Sequence, residues 1–334
     1  MSKSIAKNKK QKKHSTLWGP ILAVILLSVV LSIVTSKFLT MNNILNIMRQ
    51  TSVNSLVAFG MLFVLLTGGI DLSQGSIVGF SMGIITFLYL HGIENSFLMI
   101  VLPIAVGTLC GLINGLVFTK LHLPHPFVST LGMMQVLRGV TLIITQSKPV
   151  SGFAKPVLWV GSASIFRIPV CFLLVIAVVA VVSIFLNKTP MGRQIYSVGG
   201  NLEAARLAGI KVDFTLTTTY ALSGLMCGLA AIVLVGRVGS TYPLAGEGYE
   251  MDAVAACVIG GASFSGGKGT VGGTLVGALI IAVVNNGLNL LGASQDVQKV
   301  VLGIVIILAV LVDVTRTQSS EKKRRLAQAS SENA

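Results

Sequence analysis

Charged residues are scarce in this sequence. Asp, Glu, Lys and Arg together make up 11% of its 334 residues, whereas a soluble domain carries about a quarter. So little charge excludes an ordinary soluble domain, whose hydrated surface needs more of it. The apolar residues, 53% of the chain, fall into runs of bilayer length, and the mean hydropathy is +0.84. The sequence therefore predicts an all-α polytopic membrane protein.

Residue sets for metal binding and catalysis are also missing. The sequence has no HExxH motif, no Ser/His/Asp set and no paired carboxylates within the apolar runs. It has only four cysteines, all inside apolar runs and without metal-ligand spacing: Cys110, Cys171, Cys227 and Cys257. We therefore expect this chain to bind no metal ion and no cofactor, and we do not expect it to be an enzyme.

A glycine-rich stretch at 266–270 (GGKGT) has some letters of a phosphate-binding loop. In that loop Ser or Thr directly follows the Lys and binds magnesium, whereas Gly269 follows Lys268 here. Residues 267–272 also match GxGxxG, but a dinucleotide site needs this pattern between a strand and a helix. Here it joins two apolar runs, so we interpret the glycines as positions of tight turning and close helix packing.

The basic residues give the chain a formal net charge of +14. They are concentrated in a head (residues 1–16), a tail (residues 315–334) and a few loops. No nucleic-acid-binding motif accompanies them, so we expect no nucleic-acid partner. Basic clusters of this kind are typical of cytoplasmic segments that meet membrane lipid.

Ten apolar stretches are candidate membrane spans, since a span needs about 20 mainly apolar residues. They lie at residues 17–36, 45–67, 75–91, 97–119, 127–145, 168–186, 214–236, 251–264, 271–291 and 297–314. The third and the eighth are short, so eight or nine spans remain possible. The first follows a basic segment like a secretion signal, but it is longer than a signal core and no cleavage site follows. We interpret it as an uncleaved span, and residues 17–314 as one transmembrane domain.

The distribution of Lys and Arg predicts the orientation. With ten spans, most of the 25 Lys and Arg residues fall on the side of the two chain ends. Because basic residues collect on the cytoplasmic side, both termini are predicted to be cytoplasmic, in a bacterial inner membrane.

The longest polar loop on this inner side spans residues 187–213. Asn201 is positioned to cap a short helix over 202–208, and Gly209 to end it in the left-handed conformation. Glu203 in the first turn and Arg206 near the last both match the helix dipole. From these features alone, an ordinary amphipathic connector is as good an interpretation as a functional element.

Two glycine-rich stretches echo each other, at 68–73 (GGIDLS) and 260–265 (GGASFS). Each lies between two predicted spans on the inner side. Transporters place broken helices at matching points of internal repeats, so these are the breaks where we expect such helices. Glycine-rich sequence also matches by chance, and a true repeat stays open.

Polar residues inside or beside the apolar runs must face a cavity or a protein partner, because lipid cannot hydrate them. Asp71 is placed either to line a path or to cap the third span. For Arg138 we favour a structural partner on another span. Neutral amides and hydroxyls suit a neutral solute, although hydrogen bonds between helices explain them equally well. The candidates for a translocation path are Asn54, Asp71, Ser73, Asn114, Asn285, Asn286 and Asn289.

The loop segment 192–210 (GRQIYSVGGNLEAARLAGI) resembles the cytoplasmic loop of permease subunits of bacterial sugar ABC importers, the ribose-type branch in particular. Further blocks agree in the same order: 51–54 (TSVN), 67–73 (TGGIDLS), 248–256 (GYEMDAVAA), 260–269 (GGASFSGGKG) and 285–292 (NNGLNLLG). The resemblance covers residues 38–313 and fades in the basic head.

This resemblance implies the ABC importer permease fold and an import subunit for a monosaccharide, ribose or a related pentose. It implies a permease homodimer, a partner ATPase that uses ATP and magnesium, and an extracytoplasmic sugar-binding protein. The inner loop then couples to the ATPase through Arg193, Asn201, Glu203, Arg206 and Gly209. Acidic residues of the outer segment 242–252 are candidates for docking the binding protein, with simple solvation as the alternative: Glu247, Glu250 and Asp252.

Two other functions stay open at this point. An ion-coupled secondary transporter would need a proton or sodium site, and only Asp71 and Arg138 lie deep enough to form one. An ABC permease for another small polar solute, such as a different sugar, a furanosyl signalling molecule or a nucleoside, would have the same sequence features.

Overall fold

The chain was analysed as a computed structural model, which describes the backbone of residues 2–332 and the side chains of residues 18–311, 314 and 315. Thirteen helices lie in this described part: α1 Ser2–Val34, α2 Met41–Leu66, α3 Gln74–Leu90, α4 Ser96–Lys120, α5 Phe127–Thr145, α6 Lys155–Ser162, α7 Val170–Lys188, α8 Pro190–Gly200, α9 Leu202–Leu207, α10 Val212–Val238, α11 Tyr249–Ile259, α12 Val271–Leu290 and α13 Gln295–Glu332. Each of the ten stretches predicted as spans coincides with one of them.

The helices differ in whether they are long enough to cross a bilayer. Among the described residues, α2, α4, α5, α7, α10 and α12 have the length and apolar composition of a span. Residues 18–34 of α1 and the whole of α3 are shorter apolar helices. Helix α11 has 11 residues and so measures about 16 Å, roughly half the thickness of the hydrocarbon core. The polytopic helical fold is confirmed, and the number of ten spans stays a prediction.

Four two-residue strands and helix α6 occupy connections for which the sequence predicted no structure. β1 Val150–Ser151 pairs antiparallel with β4 Ser240–Thr241, and β2 Ser164–Ile165 pairs antiparallel with β3 Ile168–Pro169. The first pair joins the segment after α5 to the segment after α10. These strands fix connections on the predicted outer side and leave the membrane portion helical.

Helix α2 forms the centre of the bundle. Every residue from Thr51 to Leu66 is buried, so this part of the helix is covered all round, as in a core helix. It packs against α7, α10, α11 and α12. Cys257 Sγ of α11 lies 3.2 Å from the carbonyl oxygen of Ala58 and donates to it, so α11 runs alongside α2.

Glycines let α4 and α10 touch through their backbones. Gly107 and Gly111 are four residues apart on α4, and Gly224 and Gly228 are four apart on α10. A Cβ atom at Gly107 would lie 2.6 Å from the carbonyl oxygen of Gly224 and 3.0 Å from the amide nitrogen of Gly228. Spacing of small residues by four is the pattern that allows close approach of helices in lipid. The α4–α10 contact therefore excludes any larger side chain.

A second contact of this kind joins α11 to α12. A Cβ atom at Gly260, directly after α11, would overlap the carbonyl oxygen of Gly273 near the start of α12, and one at Gly277 would overlap that of Ala256. The two helices are consequently held as a tight antiparallel pair on either side of the break at 260–270.

Candidate functional site

The inner loop contains two helices, where the sequence predicted one. Helix α8 begins at Pro190, and the hydroxyl of Thr189 accepts a hydrogen bond of 3.1 Å from the amide of Gly192. Thr before Pro is a helix-start signal, and it was available in the sequence. The prediction of a single short helix is therefore corrected, because residues 190–200 form a capped helix of their own.

The second helix of this loop, α9, has the predicted ends. The side-chain oxygen of Asn201 accepts from the amide of Ala204 at 2.9 Å, which caps the helix. Gly209 has a φ of +79°, the left-handed conformation predicted for its end. Glu203 and Arg206 form an ion pair of 3.1 Å with both side chains largely exposed. The charges expected to face a partner are thus accessible.

The inner loop is packed against the membrane helices. Val198 and Ala205 of the loop form a buried cluster with Val212 and Leu216 of α10. The phenol of Tyr196 donates a hydrogen bond of 2.9 Å to the carbonyl oxygen of Gly269. Burial raises the pKa of the Tyr196 phenol, so this group keeps its proton and remains a donor. Arg193 stays exposed and reaches the carbonyl oxygen of Lys188 at 3.4 Å.

The end of α8 meets the two glycine-rich breaks at one point, which we name the inner junction and define as Leu66, Gly199, Gly266 and Gly267. The amide of Gly267 donates to the carbonyl oxygen of Leu66 at 2.9 Å. A Cβ atom at Gly199 would overlap that same oxygen and lie 2.6 Å from the nitrogen of Gly267. The loop, the end of α2 and the turn before α12 therefore touch backbone to backbone.

The two echoing stretches, 68–73 and 260–265, occupy comparable places in the fold. The first lies between α2 and α3 and the second between α11 and α12. They meet at the inner junction, where Gly266 has a φ of +78° and a Cβ atom on it would lie 2.9 Å from the amide nitrogen of Gly68. Lys268 is exposed in the second turn, and this turn joins two helices rather than a strand and a helix.

Above the inner junction, Asp71 is the centre of a buried hydrogen-bond network. Its Oδ1 accepts from the amide and the hydroxyl of Ser73, at 3.0 and 2.6 Å, and its Oδ2 accepts from the hydroxyl of Ser223 at 2.8 Å. Gln74 donates to Ser223 at 2.8 Å, and Asn114 donates to Ser73 at 2.7 Å. All five side chains are at most 1% exposed.

We call these five residues the Asp71 network. Asp71, Ser73 and Asn114 were sequence candidates, and the structure brings them together at the start of α3. Gln74 and Ser223 were missed, because a Ser inside an apolar helix gives no signal until its neighbours are known. Asp71 accepts hydrogen bonds from Ser73, directly before α3, which fits a position at the start of the third span. It also accepts directly from Ser223 of α10, and a role in lining a path stays a prediction.

Three polar atoms beside this network lack a hydrogen-bond partner within the described residues: Gln74 Oε1, Asn114 Oδ1 and the Tyr220 hydroxyl. The Tyr220 hydroxyl points at Gly69, where a Cβ atom would lie only 2.7 Å away. Buried polar groups without partners destabilise the arrangement that contains them. The two amide oxygens are therefore available as acceptors, and the Tyr220 hydroxyl as a donor or an acceptor.

The predicted outer segment 242–252 divides into two parts. Glu247 is exposed and lies 3.5 Å from Lys299 of α13. Glu250 and Asp252 belong to the first turn of α11, which begins at Tyr249, and both are half-buried. The carboxylate of Glu250 lies against Gly75 near the start of α3. The helix thus begins two residues before the predicted span at 251–264 and includes Glu250, and docking of a binding protein by these residues stays a prediction.

Arg138 has a structural partner, as predicted, but the partner is backbone. Its Nη1 donates to the carbonyl oxygen of Ala245 at 2.9 Å and to that of Pro243 at 3.5 Å. Gly79 of α3 leaves space for this contact, since a Cβ atom there would lie 3.1 Å from the same nitrogen. The guanidinium thereby ties α5 to the segment before α11, alongside α3.

The remaining asparagine candidates differ in their hydrogen bonding. Asn286 exchanges two hydrogen bonds with Asn43, of 2.8 and 3.0 Å, so it links α12 to α2. Asn289 is exposed and accepts from Gln298 at 2.9 Å. Asn54 Nδ2 and Asn285 Oδ1 are buried and have no partner among the described residues.

Asp252 lies beside the side chain of Asn285. Asn54 lies on α2, and α2 packs against both α11 and α12, which carry the other two residues. These three side chains, which we name the polar triad (Asn54, Asp252 and Asn285), are a carboxylate and two amides on three helices that are in mutual contact.

No cluster of three His, Cys, Asp or Glu side chains that could hold a metal ion occurs among the described side chains. The four cysteines are free and buried.

Comparison with known proteins identifies the family. A family model described as branched-chain amino acid transport system / permease component matches residues 43–310. No solved structure matches the chain.

Individual relatives agree over most of their length. The chain is 44% identical to ribose import permease protein RbsC of Bacillus subtilis (strain 168) over 297 residues, 88% of this chain and 92% of the relative. It is 42% identical to the ribose import permease of Escherichia coli (strain K12) over 298 residues, with the same coverage. It is 37% identical to the D-allose transport system permease protein AlsC of Escherichia coli (strain K12) over 315 residues, 93% of this chain and 96% of the relative. The chain belongs to this family of transport permeases.

A hydroxyl deletion tests whether the Asp71 network holds the bundle together. Replacing Ser223 by Ala removes a donor to a carboxylate and leaves Gln74 without its acceptor, so we expect a loss of about 1.5–3 kcal/mol in the free energy of unfolding. The matched control is Thr218→Val on the same helix, whose exposed hydroxyl bonds only the carbonyl oxygen of Phe214. Unfolding of the purified chain in detergent measures both, and equal effects of the two substitutions would contradict the assignment.

Proposed function

We propose that this chain is the membrane-spanning permease subunit of an ABC importer for a monosaccharide, ribose or a related pentose. The observation that carries this proposal is the identity of 44% and 42% to ribose import permeases over 88% of the chain. The chain is also similar to a D-allose permease. The transported sugar therefore needs a test of its own. The chain itself supplies no chemistry and works by changing conformation.

The partners and orientation belong to the same proposal. A cytoplasmic ATPase uses ATP and magnesium, an extracytoplasmic binding protein delivers the sugar, and two permease copies form the path between them. Both termini and the inner loop face the cytoplasm of a bacterium. On the opposite side, Glu247 is exposed and offers negative charge to a binding protein.

The inner loop is suited to couple the ATPase to the path. Glu203 and Arg206 are exposed on α9, where a cytoplasmic partner can reach them. Movement of α8 reaches the turn before α12 through the hydrogen bond from Tyr196 to Gly269. It reaches the end of α2 through the contact of Gly199 with Leu66. Both breaks would therefore move with the loop.

The polar triad is suited to a sugar in the path. Hydroxyl groups need both donors and acceptors, and the triad supplies amide donors, amide oxygens and a carboxylate. The unpartnered atoms of Asn54 and Asn285 are free to take a hydroxyl group. Asn286 and Asn289 already have partners, which favours a structural role for them.

The source of energy separates this proposal from an ion-coupled secondary transporter. In cells with the matching ATPase and binding protein, uptake of labelled ribose should continue after ionophores collapse the proton and sodium gradients, and should stop when ATP is depleted. Uptake that follows the ion gradients, or that purified permease performs without nucleotide, would overturn the proposal. Competition by unlabelled allose tests the sugar.

Removing the loop contacts should uncouple transport from ATP hydrolysis. The double substitution Glu203→Gln/Arg206→Gln keeps the net charge and affects only an exposed pair, which contributes little to folding. Tyr196→Phe deletes only the hydroxyl that bonds Gly269. For each we expect at least a tenfold loss of uptake, a loss of stability no larger than about 1 kcal/mol for one hydrogen bond, and ATP hydrolysis that the loaded binding protein no longer stimulates. Glu94→Gln, an exposed carboxylate outside the loop, is the control and should transport normally.

Neighbouring asparagines on α12 test the polar triad. Asn285→Leu should lower sugar uptake at least tenfold, and its cost in thermal stability should be limited to the one hydrogen bond between its side chain and Asp252. Asn286→Leu should lower stability more and uptake less, because it removes two hydrogen bonds and leaves Asn43 without its pair. If both variants reduce stability and transport to the same degree, the triad is not part of the path.

A further inference from the structure

A cavity of about 710 Å³ opens where α4 and α10 end on the side of the inner loop. We call it the basic cavity, and its wall includes Lys120, His122, Arg206, Lys211, Asp213 and Phe214. None of the contacts of the inner junction, the Asp71 network or the polar triad involves these residues. Of the residues assigned to coupling, only Arg206 lines it.

Local structure places the basic groups around this cavity. Helix α4 ends at Lys120, and the chain then turns through His122, which has a φ of +51° and whose Nδ1 lies 3.0 Å from the carbonyl oxygen of Lys120. Lys211 directly precedes α10. The ends of two membrane helices thus bring two lysines and a histidine to one opening.

The charge in this cavity is not balanced by the protein. Neither Lys120 nor Lys211 forms an ion pair within the part of the chain whose side chains are described. Arg206 is paired with Glu203. Asp213 lies in the first turn of α10, where the helix dipole stabilises a carboxylate. Two unpaired lysines at one cavity attract an anion.

The apolar part of the wall indicates what kind of anion this is. Leu116 of α4 lines the cavity next to the membrane helices, and Phe214 is 60% exposed beside it. A free anion or an acidic protein side chain gains nothing from such a wall. An anionic phospholipid fits both parts, because its phosphate meets the lysines while its acyl chains lie on Leu116 and Phe214.

We propose that the basic cavity binds the headgroup phosphate of an anionic phospholipid from the leaflet on this side of the membrane. The proposal requires only that α4 and α10 span a membrane, so it stands or falls independently of the transported solute. A bound lipid would occupy the space between α4, α9 and α10, and so would link the inner loop to the composition of the membrane.

The test compares lipids on the purified full chain in detergent. Titration with phosphatidylglycerol should raise the unfolding temperature in a saturable way, and phosphatidylcholine or inorganic phosphate at equal concentration should not. Lys120→Gln/Lys211→Gln should weaken the apparent affinity for phosphatidylglycerol about thirtyfold, since each basic residue at an anionic surface contributes about a factor of five. Lys120→Arg/Lys211→Arg keeps the charge and should bind normally.

A charge-matched control separates the cavity from general attraction to an anionic surface. Lys188→Gln/Lys268→Gln removes two exposed lysines of the same side that do not line the cavity, and it should retain most of the affinity. Equal weakening by both double variants, or equal stabilisation by phosphatidylcholine, would overturn the proposal. Saturable stabilisation by inorganic phosphate that the cavity variant abolishes would show a free phosphate as the ligand and overturn the lipid.

Discussion

Direct contact between backbones is the constraint on which this bundle depends. In lipid, helices gain little from burying apolar surface against each other, so close packing and hydrogen bonds must hold them together. The glycines of α4 and α10 bring the two helices close enough for Asn114 of α4 and Ser223 of α10 to enter one network, in which Asn114 donates to Ser73 and Ser223 donates to Asp71. The Asp71 network therefore depends on this glycine contact, because a larger side chain between the helices would separate these partners.

The same kind of contact joins the inner loop to the membrane helices. At the inner junction, Gly199 leaves no room for a side chain between α8 and the ends of the two breaks. A long side chain there could change rotamer and absorb a displacement, whereas touching backbones cannot. Tyr196 adds one directional bond to the same region. The loop is thus attached to the end of α2 and to the turn before α12, as the proposed coupling role requires.

Local signals in the sequence were sufficient to predict the helical fold and the two ends of α9. Runs of apolar residues located all ten stretches, and Asn201 and Gly209 marked a cap and a stop that depend only on their immediate neighbours. The helix α8 was not predicted, although Thr189 before Pro190 is a helix-start signal. This signal is local, so the helix could have been predicted from the sequence.

Hydrogen-bond partners that are distant in the chain could not be predicted from the sequence. Ser223 lies 152 residues from Asp71, and no local pattern connects them. Arg138 was expected to pair with another span, yet it bonds carbonyl oxygens, which every residue carries and which leave no trace in the sequence. Glu250 was placed before the predicted span at 251–264, whereas α11 begins at Tyr249, so the acidic residues of its first turn belong to the helix.

Both glycine-rich breaks meet at the inner junction, and this contact limits how they can move. Two helix interruptions held by separate contacts could open one after the other and give partly open intermediates. Here Leu66 bonds Gly267 while Gly199 rests on both, so one break cannot shift without straining the other. Packed elements linked in this way favour discrete alternatives over gradual deformation, and we expect an all-or-none switch with few leaky intermediates.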